Sequence, residues 1–258
     1  MPAAESKRPS LSAVLITKNA AAHLHECLES LRWADEIVVV DSGSSDNTEA
    51  ICSEFHARFS VEDDWPGFGI QKNRALAMAS CEWVLSIDAD EICTPELRAE
   101  IEQALNSGGA TAYAMPRLSS FCGHWMRHGG WWPDHVTRLF RRGTARFSDD
   151  VVHERLIVDG ETKLLKSHLL HHTYDTLDQA IEKMNRYSTL GAEQAFRRGK
   201  RASLWSAWLR GGWSFFRTYV LRRGFLDGAA GYALARYNGQ GTYYKYLKLW
   251  LLGRQQGL

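Results

Sequence analysis

The chain has 258 residues, 45% of them apolar, and its 31 Lys or Arg against 30 Asp or Glu leave a net charge of +1. That composition excludes a disordered chain, and the length suffices to bury a full core, as one large α/β domain with an appendage or as two small domains. The five cysteines, Cys27, Cys52, Cys81, Cys93 and Cys122, form no Cys-x-x-Cys pair, so no zinc or disulfide framework is expected and they read as small core fillers.

Leu11 to Thr17 is apolar enough for a first buried strand. The three- and four-residue spacings of Leu24, Cys27, Leu28 and Leu31 fit one face of a helix. Ile37 to Val40 reads as a second strand, and Asp46-Asn47-Thr48 as the cap of a helix through Ile51 and Phe55. A short strand is predicted over 58–61. Gly67 and Gly69 then loosen the chain before a helix that starts at Gln71-Lys72-Asn73-Arg74 and runs through Met78. Trp83 to Ile87 is the next strand, followed by a strong helix start at Thr94-Pro95-Glu96-Leu97, with Thr as cap and Pro at the first position. Strands alternating with helices across short loops predict a mainly parallel sheet covered on both faces. From Ala112 to Val158 the pattern shifts to shorter, mixed or antiparallel strands around a Gly129-Gly130-Trp131-Trp132-Pro133 loop of the kind that covers sites. Leu177 to Arg197 predicts an amphipathic helix, and Gly211-Gly212 and Gly224 are expected to break the segment after it into short helices.

Two acidic loops carry the chemistry. Asp41-Ser42-Gly43-Ser44-Ser45-Asp46 and Ser86-Ile87-Asp88-Ala89-Asp90-Glu91 each follow an apolar strand, and in an open α/β sheet the carboxyl ends of parallel strands open into the ligand crevice. A crevice so rich in carboxylate cannot hold an anion unless a hard divalent cation intervenes, and Asp-x-Asp suits a cation that is also bound to a diphosphate. Alone, such a triplet arises by chance or caps a helix; its place at a strand end beside a second acidic turn gives it weight.

On these residues the chain resembles the family 2 inverting glycosyltransferases, and more closely their lipopolysaccharide-core β-1,4-glucosyltransferase branch. The likeness rests on residues 15–19 (Leu-Ile-Thr-Lys-Asn), 37–48, Gln71-Lys72-Asn73 and 83–91, and continues through Pro133-Asp134, Arg138-Leu139-Phe140, Val152-His153-Glu154 and residues 224–228. Ala20 departs from it, at a position where relatives commonly carry an acid. The resemblance implies a Rossmann-like GT-A nucleotide-diphospho-sugar transferase fold over 11–175, after a flexible start at 1–10 and before a helical extension at 176–258. It implies that Asp41 contacts the uridine, that Thr17 and Asn19 line the base pocket with Lys18 also binding the donor, and that Gln71, Lys72, Arg74 and the Asp88-Ala89 turn reach the nucleotide or its phosphates. Asp88 and Asp90 would engage Mg²⁺ or Mn²⁺, and His171, chosen over His168 and His172, would add a ligand. For Lys72 and Arg74 the plain alternative is a solvated helix face; for His171 it is a structural histidine.

Inversion needs one base to take the proton of the acceptor hydroxyl, and a single carboxylate suffices. Glu154 is the first choice and Asp134 the second; the alternative for each is a loop carboxylate paired with Arg138, Arg141 or Arg155. Trp125, Trp131 and Trp132 suit stacking on sugar rings or ordinary aromatic packing alike.

From Phe196 to Leu258 the chain carries twelve Lys or Arg against one acid, Asp227, which leaves residues 1–195 with a net charge of −10. Trp205, Trp208, Trp213, Phe215, Phe216 and Tyr219 alternate there with arginines, which fits an interfacial membrane anchor; the alternative is a cap that packs its aromatics inward. No apolar run reaches the roughly 18 residues of a spanning helix, and Met1 to Ser10 is too polar for a secretory signal. The expectation is therefore a cytoplasmic protein, peripheral on the inner face of a bacterial inner membrane, that moves a hexose, glucose first, from UDP to an inner-core heptose on a lipid-linked saccharide. The alternatives are a related transferase with another polysaccharide, lipid or polypeptide acceptor, a silent nucleotide-sugar binder, and a nucleic-acid-binding protein that uses the basic aromatic tail; the acidic first half opposes the last.

Overall fold

The computed structural model describes residues 8–148 and 154–255. Of the expected flexible start only 8–10 are described, and there Arg8 pairs with Asp35 at 2.9 Å. The elements are β1 (Leu11–Thr17), α1 (Ala21–Glu29), β2 (Glu36–Asp41), α2 (Thr48–Glu54), β3 (Arg58–Val61), α3 (Phe68–Met78), β4 (Trp83–Ser86), β5 (Glu91–Cys93), α4 (Pro95–Ser107), β6 (Ala112–Phe121), β7 (His124–Trp125), β8 (Asp134–Arg141), β9 (Ala145–Phe147), β10 (Leu156–Val158), β11 (Thr162–Leu164), β12 (Leu169–Tyr174), α5 (Leu177–Arg197), α6 (Leu204–Phe216) and α7 (Gly228–Gln255). A π-helical turn (Arg217–Leu221) and a 3₁₀ turn (Gly224–Asp227) join α6 to α7.

The main sheet runs β3-β2-β1-β4-β8-β6-β12-β5. Its first four strands are parallel, and β1, β2 and β4 carry the apolar runs of strands buried on both faces, while β3 at the edge is partly exposed. Ala13, Leu15, Val39, Trp83 and Leu85 face one core with Leu24 and Leu28 of α1 and Leu97 and Ile101 of α4. Val14, Val38, Val40 and Val84 face the other with Ala75 of α3 and Phe140. Among the later strands β8 pairs antiparallel with both β4 and β6, and β12 with β5, while β11 lies parallel to β6.

Local signals explain the helix ends. Thr94 Oγ1 accepts from the Leu97 amide at 3.2 Å, Pro95 opens α4, and Gly108 closes it at φ 63°. Helix α3 starts at Phe68, three residues before the expected Gln71. Gly69 enters its first turn because a β-carbon there would stand 1.9 Å from the Ser148 carbonyl oxygen, so the glycine answers a close approach and not a loose chain.

The chain forms two compact units: one runs to Arg117 and resumes over Asp134–His171, and the other holds Leu118–Pro133 and the chain from His172 on. In the second, Phe121, Met126 and Tyr174 pack with Ala180 and Leu234. Asp227 accepts from the amides of Arg127 and His128 at 3.1 and 2.8 Å and pairs with His128 Nδ1 at 2.7 Å, which ties the 118–133 segment to the helices. Gly211 and Gly212 do not break α6. A β-carbon on Gly211 would meet Tyr243 Cβ at 2.9 Å and the Gly239 carbonyl at 3.1 Å, so the glycine lets α6 and α7 close on each other; the interruption comes later, at 217–227. Among the described residues no helix is long and apolar enough to cross a membrane.

Candidate active site

Strand register builds the first half of the site. Thr17 and Asp41 are partners at the carboxyl ends of β1 and β2, so the Thr17 hydroxyl reaches Asp41 Oδ1 at 2.7 Å. Asp41 is buried and also accepts from the Ser44 amide and hydroxyl, both at 2.6 Å. Three donors on four lone pairs leave one acceptor position for a ligand. Lys18 Nζ donates to the carbonyls of Ser42 and Gly43 at 2.6 and 2.5 Å, and Asn19 Oδ1 accepts from the Ser45 amide at 2.8 Å. Both therefore pin the 42–46 loop. Gln71 Nε2 donates to Ser42 Oγ at 3.1 Å, while Arg74 grips Asp64 with two bonds of 2.7 and 2.8 Å and touches Gln71 at 2.9 Å. Thr17, Lys18, Asn19, Asp41 and Gln71 thus converge on one loop, with Arg74 at its edge.

The second half is a chain of alternating charges. Lys72 Nζ lies 3.3 Å from Glu154 Oε1 and 3.1 Å from Asp88 Oδ1. Arg138 Nη2 donates to Asp88 Oδ2 and, at 2.6 Å, to Glu91 Oε1. Arg117 Nη1 reaches the same Glu91 oxygen at 3.3 Å, and Arg117 Nη2 holds Asp134 Oδ2 at 2.6 Å. Glu154 and Asp134, the two nominated bases, are therefore the ends of one row that runs through Asp88, Arg138 and Glu91. Lys72 holds the first and Arg117 the second. Lys72 is 8% exposed, which excludes a solvated helix face. Val152 and His153, which precede Glu154 in its motif, lie outside the described residues.

Burial pushes the Asp88 carboxyl up, but the Arg138 and Lys72 charges override it and hold the group well below the usual carboxylate range. Desolvation would lower the Arg138 guanidinium, yet Asp88 and Glu91 raise it. Cys27 lies beneath the turn, its Sγ 3.6 Å from the Asp88 carbonyl; burial first, then the Glu91, Asp90 and Asp88 charges, push its thiol well up, which leaves it un-ionised and a core filler.

Asp90 stands outside the charged row. Its side chain is 43% exposed, and its Oδ2 lies 3.5 Å from His171 Nε2. The antiparallel register of β12 on β5, His171 opposite Glu91, brings that histidine to the turn. Ala89 between the aspartates rests against the core and fixes the turn by packing. Asp90 offers partly accessible oxygens and His171 a neighbouring nitrogen, donor types that a divalent cation takes, while the two Asp88 oxygens are engaged by Lys72 and Arg138. Four carboxylates against three cations in the row, with Asp90 added, leave a local excess of negative charge for such an ion. Of the tryptophans, Trp131 packs edge-on against Phe121 at 5.9 Å, Trp125 against His172 at 5.2 Å, and Trp132 carries Arg127 over its ring at 5.9 Å.

Sequence reasoning missed Glu91 as a hub, Arg117 altogether, and Arg138 as the partner of Asp88. Their pairing depends on the β4-β8-β6 register, which no local pattern carries; the one signal was a third acid directly after Asp-x-Asp.

The sequence profile described as glycosyl transferase family 2 matches residues 12–158. The chain is 36% identical over 204 residues to the lipopolysaccharide core biosynthesis glycosyltransferase LpsC of Rhizobium meliloti, covering 74% of this chain and 73% of that protein. It is 30% identical over 235 residues to an uncharacterized glycosyltransferase of Rickettsia felis, covering 86% and 83%. Among solved structures it is similar to the glucosyl-3-phosphoglycerate synthase of Mycobacterium tuberculosis, solved with Mn²⁺, uridine diphosphate and glucosyl-3-phosphoglycerate. That match is at 27% identity and a TM-score of 0.37 over 42% of this chain and 44% of that one.

Proposed function

The chain belongs to glycosyl transferase family 2, with a GT-A-like mixed α/β fold followed by helices, and on that footing we propose that it moves a hexose, glucose first, from a UDP-sugar to a lipopolysaccharide inner-core heptose with inversion. The observation that carries this is the Asp88-Ala89-Asp90 turn at the end of β4, linked through Lys72 to Glu154. The similarity to LpsC supports the acceptor class.

In this reading Thr17 and Asp41 hold the uracil end of the donor, and Asp88, Asp90 and His171 hold Mn²⁺ or Mg²⁺. The cation, when bound, offsets the charge that builds on the departing UDP. An imidazole beside Asp90 favours Mn²⁺, since Mg²⁺ prefers oxygen ligands. Glu154 takes the proton from the acceptor hydroxyl, with Lys72 fixing its carboxylate, while Asp134 is the second candidate. The test is transfer from UDP-glucose with Mn²⁺ to heptose-terminated core saccharide. A β-linked product by NMR is expected from the α-linked donor; an α-linked product would rule out the single-displacement scheme.

The acceptor class and the surface of α6 support a peripheral membrane location at the cytoplasmic face. Trp205, Trp208, Leu209 and Trp213 are 75%, 65%, 59% and 58% exposed, on the side away from buried Ala207, Gly211 and Ser214. Leu221, Phe225 and Leu226 are exposed as well, and so are Arg217, Arg222 and Arg223, their neighbours in the chain. Apolar side chains flanked by cations suit insertion at an anionic lipid interface. Replacing Trp205, Trp208 and Trp213 together by Ser should weaken binding to phosphatidylglycerol vesicles by about tenfold or more and leave the melting temperature nearly unchanged. Full binding by the triple variant in a flotation assay would move the membrane contact elsewhere.

A further inference from the structure

Glu91 is wholly buried, yet it sits between Asp88 and Asp134, joined to both through arginines. Its Oε1 accepts from Arg138 at 2.6 Å and Arg117 at 3.3 Å, and its Oε2 accepts from the Asp88 amide at 3.0 Å. Beyond these partners Arg138 grips Asp88, and Arg117 grips Asp134 with bonds of 3.1 and 2.6 Å from Nε and Nη2. The outer carboxylates are partly open, 31% for Asp88 and 45% for Asp134, while the hub is at 0%.

We propose that Glu91 is a positioning residue that sets the Asp-x-Asp turn and the Asp134 carboxylate in a fixed mutual arrangement through its two arginines. Planar guanidinium groups transmit orientation as well as charge, because their donors are fixed in a fork. One oxygen of Glu91 holds the amide that opens the turn, and the other holds the two cations that hold the flanking acids. A displacement of Glu91 is therefore felt at the donor side through Asp88 and at Asp134 through Arg117. The alternative is that Glu91 only neutralises two buried arginines, in which case its loss lowers stability and nothing else. The inference rests on the reading of Asp88 as part of the donor site.

The experiment compares Glu91→Gln and Arg117→Gln in the full chain, by calorimetric titration of UDP with Mn²⁺, by kcat and KM for each substrate, and by thermal melting. Outer partners of a metal site typically change affinity or rate by about 10- to 100-fold. Glu91→Gln should weaken metal-dependent UDP binding by about tenfold and lower kcat as well. Arg117→Gln cuts only the Asp134 arm, so it should lower kcat or raise the acceptor KM with UDP affinity unchanged. A Glu91→Gln protein that melts lower yet keeps wild-type UDP affinity and kcat overturns the proposal, as does an Arg117→Gln protein that loses UDP affinity equally. Should Glu91→Gln not fold, the double variant Arg117→Gln with Asp134→Asn decides: kcat effects that fail to add support a shared arm, and additive effects reject it. Failure of the wild-type chain to bind UDP with Mn²⁺ would instead count against the donor site itself.

Discussion

Glu154→Gln is expected to bind the UDP-sugar and metal almost as the wild-type chain does and to lose turnover by about 10²- to 10⁴-fold, the usual contribution of a general base. The amide keeps the size of the side chain, and its remaining carbonyl oxygen still accepts from Lys72, now 3.3 Å from Glu154 Oε1. Lys72 also keeps its pair with Asp88 at 3.1 Å, so no buried cation is stranded. What disappears is the capacity to take a proton. Donor affinity measured first by calorimetry, then kcat under saturating donor, separates the two effects. A variant with near wild-type kcat would pass the role to Asp134, and Asp134→Asn would then have to show the loss.

Asp90→Ala should remove the metal-dependent part of UDP affinity, a fall of about 100-fold or more if Asp90 is a direct ligand, since even outer partners cost 10- to 100-fold. This substitution is cleaner than Asp88→Ala. Asp88 neutralises Lys72 and Arg138, both nearly buried, and stripping a buried pair of one partner costs about 3–5 kcal/mol. Loss of function in Asp88→Ala would confound ligation with folding. Asp90 is partly accessible and touches His171 alone among its ion-pair contacts described, so its removal leaves the row of charges standing. UDP affinity that stays metal-dependent and unchanged in Asp90→Ala would end the assignment of this residue to the metal.

Much of the fold was legible because its signals are local. Leu11 to Thr17 and Leu177 to Arg197 form elements over those same bounds, and Thr94-Pro95 caps α4 as its chemistry dictates. The two acidic turns were legible because each ends a buried parallel strand. What joins them was not. Arg138 meets Asp88 because β8 lies antiparallel to β4 with Leu139 opposite Leu85, and Arg117 meets Asp134 through the register of β6 on β8. Pairings between residues 17 and 50 positions apart leave no trace in periodicity. The glycines misled for a related reason: Gly69 and Gly211 looked like breaks, but each sits where a neighbouring carbonyl or side chain leaves no room for a β-carbon. The place of residues 118–133 among the helices was hidden too, since it depends on Asp227, about a hundred positions away, receiving the amides of Arg127 and His128.

Calorimetric titration of UDP-glucose into the full chain, with and without Mn²⁺ or Mg²⁺ and against UDP-galactose and a GDP-sugar, tests the donor site most directly. Binding that requires the cation, favours one UDP-sugar and is tighter with Mn²⁺ than with Mg²⁺ is the predicted result. Binding of no nucleotide sugar, or binding indifferent to the cation, would contradict the assignment of the Asp88-Ala89-Asp90 turn to a metal-held diphosphate.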